Sequence, residues 1–208
     1  MAKVTLQTFL SLDGVMQGPG GPDEDRTGGF DKGGWVVPYV DEEMGRCIDE
    51  WFAAADGFLL GRRTYEIFAA YWPRVTDEQN LVASRLNSLP KYVASTTLEQ
   101  LDWHNSTLLG RKAAEEVAEL KARPGRELQI HGSGMLAQSL MAAGLIDEYR
   151  LFTYPVVLGE GKRLFAEGAV PTALKLADSR TTSSGVAIHT YQPAGRPVYG
   201  DFTLDADE

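Results

Sequence analysis

Residues 4–11, VTLQTFLS, interleave apolar and polar side chains and predict a first strand. The pattern then collapses into SLDGVMQGPGGPDEDRTGG, rich in glycine, proline and acid, which predicts a long loop ending near Gly29. Placed directly after a core strand, so long a loop suits a lid or substrate-binding loop better than a linker, with Trp35 as an anchor. Apolar positions return at helical spacing across residues 41–55, where Met44, Ile48, Trp51, Phe52 and Ala55 share one side.

Strand and helix signals alternate from there. DGFLLG, residues 56–61, has strand length, and RRTYEIFAAYWP predicts a helix beginning near Arg63 and stopping before Pro73. KYVAST is a further strand and STLLG after Trp103 a weaker one. RKAAEEVAELKA, residues 111–122, is rich in helix formers and ends at the turn of Pro124 and Gly125. ELQIH follows as a buried strand, then a helix over about 134–143 with Gly144 as its stop. A strand over 149–157 and the segments ALKLADSR and GVAIHTYQ complete the pattern, with no helix between the last two. The fold class is α/β: three layers, a central, mostly parallel mixed sheet with flanking helices and a C-terminal antiparallel hairpin. Residues 1–199 are expected to form one domain, and 200–208 a weakly held acidic tail.

Composition narrows the function. A net charge of −9 leaves no basic stripe for nucleic acid, although a local basic pair could still hold a small phosphorylated ligand. Cys47 is the only cysteine, which excludes an internal disulfide and a cysteine-rich zinc site and suits an intracellular, cytoplasmic protein. No apolar run is long enough to span a bilayer, and His104, His131 and His189 lack zinc-ligand spacing, so neither membrane nor metal is expected. The acid pairs Asp23/Asp25, Asp41/Glu42 and Asp49/Glu50 look like loop or helix-start charges rather than a glycosidase pair.

Three strand ends carry candidate chemistry. IHGSGMLAQSL puts Gly132, Ser133 and Gly134 between a strand and a helix, where the amides of Ser133, Gly134, Met135 and Leu136 can face an anion. Glycines at such junctions also serve simply to turn the chain, and GSG is not the dinucleotide fingerprint. LLGRRTYE repeats the arrangement, with Arg62, Arg63 and Thr64 after Gly61; cations at a helix start oppose its dipole unless an acid, solvent or an anion compensates. Ser95, Thr96 and Thr97 add hydroxyls at the end of KYVAS. Separately all three could be caps, while together they could surround one dinucleotide.

These motifs, with SLDG at residues 11–14, LIDEYRLFTYPVVLG and GKRLF, resemble in order and spacing the dihydrofolate-reductase-like superfamily. Within it the chain is similar to the C-terminal reductase domain of the bifunctional riboflavin-biosynthesis deaminase-reductase, from Lys3 to about Tyr191. The resemblance implies NADPH as cofactor, hydride transfer to a small heterocyclic substrate, and a homodimer. It implies Arg62 at the adenosine 2′-phosphate, Arg63 and Thr64 along the diphosphate, Ser95 and Thr96 near the adenosine, and Gly132 to Met135 beneath the diphosphate and nicotinamide ribose. Asp13 and Thr153 would stand on the catalytic side, with Tyr154 and Pro155 as nearby wall.

Two departures mark the chain. His131 stands where the family often has the first of two glycines, so the cis peptide of folate-reducing members is not carried over, and His131 is expected to support the turn. Aligning Trp51-Phe52 places the pterin-binding carboxylate's position at Ile48, with Asp49 about a hundred degrees around the helix, which speaks against folate reduction. Lys162 and Arg163 either receive a phosphoribosyl group or form a hairpin edge. A reductase, a cofactor binder without chemistry and a purely structural domain all remain open, as does a pterin or other carbonyl or imine substrate.

Overall fold

Strand β1 (Lys3–Ser11) lies inside an eight-stranded sheet of order β4-β3-β2-β5-β1-β6-β8-β7. The other strands are β2 (Ala55–Gly61), β3 (Lys91–Ala94), β4 (Ser106–Leu109), β5 (Glu127–His131), β6 (Glu148–Tyr154), β7 (Leu174–Thr181) and β8 (Ala187–Pro193). The computed structural model describes residues 1–77 and 79–202; residues 203–208 of the expected acidic tail lie outside them. From β4 to β6 the strands run parallel, and β8 and β7 add the antiparallel hairpin, as the pattern predicts.

Helices α1 (Glu42–Ala53), α2 (Arg62–Tyr71), α3 (Leu81–Ser88), α4 (Ala113–Ala122) and α5 (Gly134–Ala142) flank the sheet. Asp41 starts α1 by accepting the Met44 amide at 2.9 Å, and Met44, Cys47, Trp51 and Phe52 form its buried side. Alternation along β2 sorts the layers: Leu59 packs with α4 and α5, whereas Phe58 and Leu60 pack with Phe52, Tyr65 of α2 and Leu86 of α3.

Two details depart from the pattern. Helix α2 ends at Tyr71, before Pro73 as expected, and what the pattern does not show is the 3-10 turn that follows over Trp72–Arg74, where proline near the first position of a short helix lacks only an N–H the turn leaves unused. Helix α3 is too short for its periodicity to register. Asn80 caps its start by accepting the Ala83 amide at 2.9 Å, and the buried Lys91 Nζ donates to the Leu86 and Leu89 carbonyls at its end, 4.5 Å from the Trp103 ring. Burial pulls the Lys91 pKa down to about 8.

Under α1 the middle of the sheet is polar. Arg150 donates to both oxygens of Glu127 at 2.7 and 3.0 Å and to Glu148 at 2.9 Å, and lies 5.2 Å from the Trp51 ring. Lys3 completes the Glu148 pair, and Gln129 donates to Glu127 at 2.9 Å and to the Trp51 carbonyl at 2.6 Å. Burial would raise the Glu148 pKa, but Lys3, Arg150 and Gln192 outweigh it and hold the carboxyl below its ordinary 4.5.

Removing Arg150 strands two carboxylates away from water, so Arg150→Ala is expected to cost about 3–5 kcal/mol in urea denaturation. In the native chain the Glu148 contribution is intact above pH 4.5 and is lost as pH falls through the lower folded value. Urea midpoints across that range are expected to drop in the native protein and to drop less in Glu148→Gln.

Candidate functional site: the crevice between two helix starts

Because β1, β2, β3, β5 and β6 are parallel, Ser11, Gly61, Ala94, His131 and Tyr154 end at one edge of the sheet. β2 and β5 are neighbours, yet the chain leaves β2 into α2 on one face and β5 into α5 on the other. A crevice opens where neighbouring connections part in this way, and such switch points hold ligands in parallel sheets.

One hydrogen-bonded pair closes the crevice floor. The Gly61 amide donates to Ser133 Oγ at 2.9 Å, and the Ser133 amide donates to Thr64 Oγ1 at 3.2 Å. A Cβ on Gly132 would only touch Thr64 Oγ1, at 3.5 Å, whereas one on Gly134 would crowd the Met16 sulfur at 3.0 Å. Gly132 and Ser133 are both left-handed, at φ +53° and +50°, and every peptide bond among the described residues is trans. A serine held in that region costs about 1–3 kcal/mol, a strain that recurs at ligand-binding turns. With Ser133 Oγ bonded to β2, no side chain caps α5, and none caps α2. Two helix starts thus present first-turn amides to one crevice, with Arg62 beside them. Arg62 is half-exposed and braced by Glu66 at 2.8 Å and by Thr97 Oγ1 at 2.6 Å.

His131 supports this floor from inside. It is buried, 4.6 Å from the Phe52 ring and 5.6 Å from Phe58, and shares a hydrogen bond with Gln129 at 3.2 Å. Burial and the Arg150 charge push its pKa down to about 3, so the imidazole is neutral.

The family described as the RibD C-terminal domain matches residues 2–188. The chain belongs to the RibD C-terminal domain family. The uncharacterized protein YyaP of Bacillus subtilis is 30% identical over 191 residues, covering 91% of this chain and 94% of that one. A putative riboflavin biosynthesis protein from Shewanella sp. PV-4 has a similar structure, with TM-score 0.69, 24% identity, and coverage of 93% of this chain and 99% of that one. So does the diaminohydroxyphosphoribosylaminopyrimidine deaminase/5-amino-6-(5-phosphoribosylamino)uracil reductase of Thermotoga maritima, with TM-score 0.60, 14% identity and coverage of 93% and 57%. The fold is therefore that of the RibD C-terminal domain.

The other expected residues of this RibD C-terminal domain are placed as follows. Ser95 Oγ accepts the Thr97 and Leu98 amides at 3.1 and 3.0 Å and shapes the turn after β3, where Thr96 is exposed. Met135 is 88% exposed at the start of α5, while the Leu136 side chain belongs to the core, leaving its backbone as the group that can meet a ligand. Asp13 accepts from Ser11 Oγ at 2.6 Å, from the Leu158 and Gly159 amides at 3.1 and 2.9 Å, and from Arg163 at 3.2 Å. Led by the Ser11 bond, these donors hold its carboxyl well below the usual range. Thr153 is partly buried near the end of β6, paired with Leu10 of β1 and Ala187 of β8. Tyr154 is no open wall: it is fully buried, with Phe9, Trp35 and Tyr39 edge-on around it. Asp49 is an exposed helix acid, and Ile48 packs against the core.

Trp35 anchors the long loop, its Nε1 donating to the Gln17 carbonyl at 2.8 Å. The loop also brings in residues that linear spacing did not reveal. Asp25 and Thr27 meet Arg63 and Lys162, and Gln17 binds the carbonyls of Asp25 and Thr27 at 3.0 and 2.9 Å. No motif distinguishes Asp25 among the acids of its loop. Among the described residues, no helix is long and apolar enough to cross a membrane, and no group of three or more His, Cys, Asp or Glu could hold a metal ion.

The Ser133 turn can be tested by two substitutions. Ser133→Ala keeps the left-handed strain and strands the Gly61 amide, for an expected loss of about 1–3 kcal/mol. Ser133→Gly loses the same bond but relieves the strain, so thermal melts are expected to rank native, Ser133→Gly, Ser133→Ala in falling order.

Proposed function

We propose that the chain is an NADPH-dependent reductase that delivers hydride to a small heterocyclic substrate of the ribosylaminopyrimidine class. The observation that carries this reading is the crevice itself: two uncapped helix starts share a left-handed Gly132-Ser133 turn, with the braced Arg62 guanidinium beside them. Uncapped first-turn amides beside a left-handed glycine turn suit a diphosphate, and Arg62 suits a further phosphate at its end. The name of the Thermotoga relative, which includes a phosphoribosylaminouracil reductase, supports the substrate class.

In this reading Gly61, Arg62, Arg63 and Thr64 hold the phosphates, and Ser95 and Thr96 border the adenosine. Gly132, Ser133, Gly134, Met135 and the Leu136 backbone form the floor. When bound, NADPH supplies the hydride. The chain orients the two reactants and excludes water with the loop of residues 12–40. Asp13 positions rather than protonates: its bonded, ionised carboxyl fixes the 158–159 turn, and the proton that balances the hydride comes from water or from the substrate. The exposed acid at Asp49, with Ile48 facing the core, favours this substrate class over a pterin.

The protein is further proposed to act in the cytoplasm as a homodimer, paired through β7, none of whose residues is buried in the single chain. The apolar side chains of β6 offer no such face, because Leu151, Phe152 and Tyr154 are all buried.

Equilibrium binding tests the cofactor. Arg62→Ala is expected to weaken NADPH about tenfold or more and to leave NADH almost unchanged, as a charge-assisted phosphate bond is worth about 1.5–3 kcal/mol. No NADPH binding at saturating concentration would sink the proposal. Oxidation of NADPH with a ribosylaminopyrimidine substrate separates an enzyme from a passive binder, and light scattering of Leu176→Asp reports on the dimer.

A further inference from the structure

We propose that the flap of residues 19–33 carries an internal anion, the Asp25 carboxylate, which latches the flap onto Arg63 and Lys162 and is displaced when a diphosphate-bearing ligand takes Arg63. The proposal rests on the assignment of Arg63 to the cofactor's diphosphate and adds a competitor built into the chain.

The latch has a built geometry. Asp25 Oδ1 accepts from Arg63 Nη1 and from Thr27 Oγ1, the latter at 2.5 Å, while Oδ2 accepts from Lys162 Nζ at 2.6 Å. Thr27 Oγ1 also lies 3.1 Å from Arg63 Nη1 and 2.6 Å from Lys162 Nζ. The Asp25 side chain is only 9% exposed, against 50% and 52% for its two cations, so the carboxylate is enclosed by donors that themselves reach solvent. Burial would raise its pKa, yet the bonds from Lys162 and Thr27 and the Lys162 charge pull it down to about 2.

The flap has a hinge and a platform. The Gly34 amide donates to the Gly18 carbonyl at 2.8 Å across the flap's base, and both glycines have positive φ. Gln17 joins that base to the tip, accepting the Lys162 amide at 3.0 Å while its own amide holds the backbone of Asp25 and Thr27. Between tip and platform lies a cleft of about 310 Å³ lined by Gln17, Thr27, Gly28, Phe30, Glu160 and Lys162.

Charge gives the direction of the exchange. One carboxylate faces two cations, whereas a diphosphate brings more negative charge and more acceptor oxygens to the same guanidinium. Ion pairs whose cations are half in solvent shift an equilibrium by no more than about fivefold each, so the latch can yield at the tip while Phe30, buried in the core, and the Lys32–Glu160 pair keep the rest of the flap in place.

The test compares the native chain with Asp25→Asn, which keeps the shape and removes the charge, after thermal melts have shown both folded. Two readouts are used: binding of NADPH and of inorganic pyrophosphate, and the rate of tryptic cleavage after Arg26 in the flap. Asp25→Asn is expected to bind both ligands about two- to tenfold tighter and to be cut faster without ligand, and pyrophosphate is expected to speed cleavage of the native chain. Equal or weaker binding by Asp25→Asn, with NADPH still bound by the native chain, overturns the latch and leaves the cofactor assignment standing. No binding of NADPH by either protein overturns the cofactor assignment and the latch with it.

Discussion

The candidate site depends on two chain reversals being held one hydrogen bond apart. Ser133 Oγ bonds the Gly61 amide of the neighbouring strand instead of capping its own helix, and this one choice has three effects. It fixes the spacing of two strand-to-helix turns, it leaves the first turn of α5 without a side-chain cap, and it requires the left-handed backbone that glycine at 132 begins. Local stability is given up where a ligand would restore it, a pattern expected of binding sites rather than of scaffolds.

The rest of the chain supplies the rigidity this arrangement needs. On one face, leucine, isoleucine and valine side chains from β1, β5 and α5 fill an apolar layer behind the turn. On the other, the Glu127–Arg150–Glu148 network and Gln129 run beneath α1 and end at His131. A buried ionic network contributes little net stability but penalises any register in which its members are separated, and a slip of β5 by one residue would carry Glu127 and Gln129 to the opposite face, away from Arg150 on β6. The network therefore acts more on where β5 sits between β2 and β1 than on how tightly the sheet holds together.

Most of the fold could be read from local pattern: β1 and β6 are short apolar-rich runs that fold into strands buried on both faces, and α1 buries a stripe after the Asp41 cap. Helix α3 escaped because eight residues make barely two turns and a distant lysine, Lys91, closes its end. At the site, glycine, arginine and hydroxyl residues at strand ends stood out, since those positions have steric and electrostatic requirements that few residues meet. Asp25 and Thr27 did not, because an acid or hydroxyl in a polar loop gains meaning only from what folding places beside it. The same holds for Asp13, whose position in SLDG suggested chemistry, while the four donors around its carboxylate, two amides, a hydroxyl and a guanidinium, make it a fastener of the loop.

The neutral His131 has a consequence for how the edge responds to its surroundings. A glycine at that position would leave the turn open to water, and a solvated histidine would switch charge within the range of cellular acidity. Walled in by Phe52 and Phe58, this imidazole stays uncharged throughout that range, so the electric field under the crevice does not change as the medium acidifies. The floor is thereby insulated from proton concentration, and any sensitivity of the crevice to it must enter from the solvent side, through the groups a ligand brings.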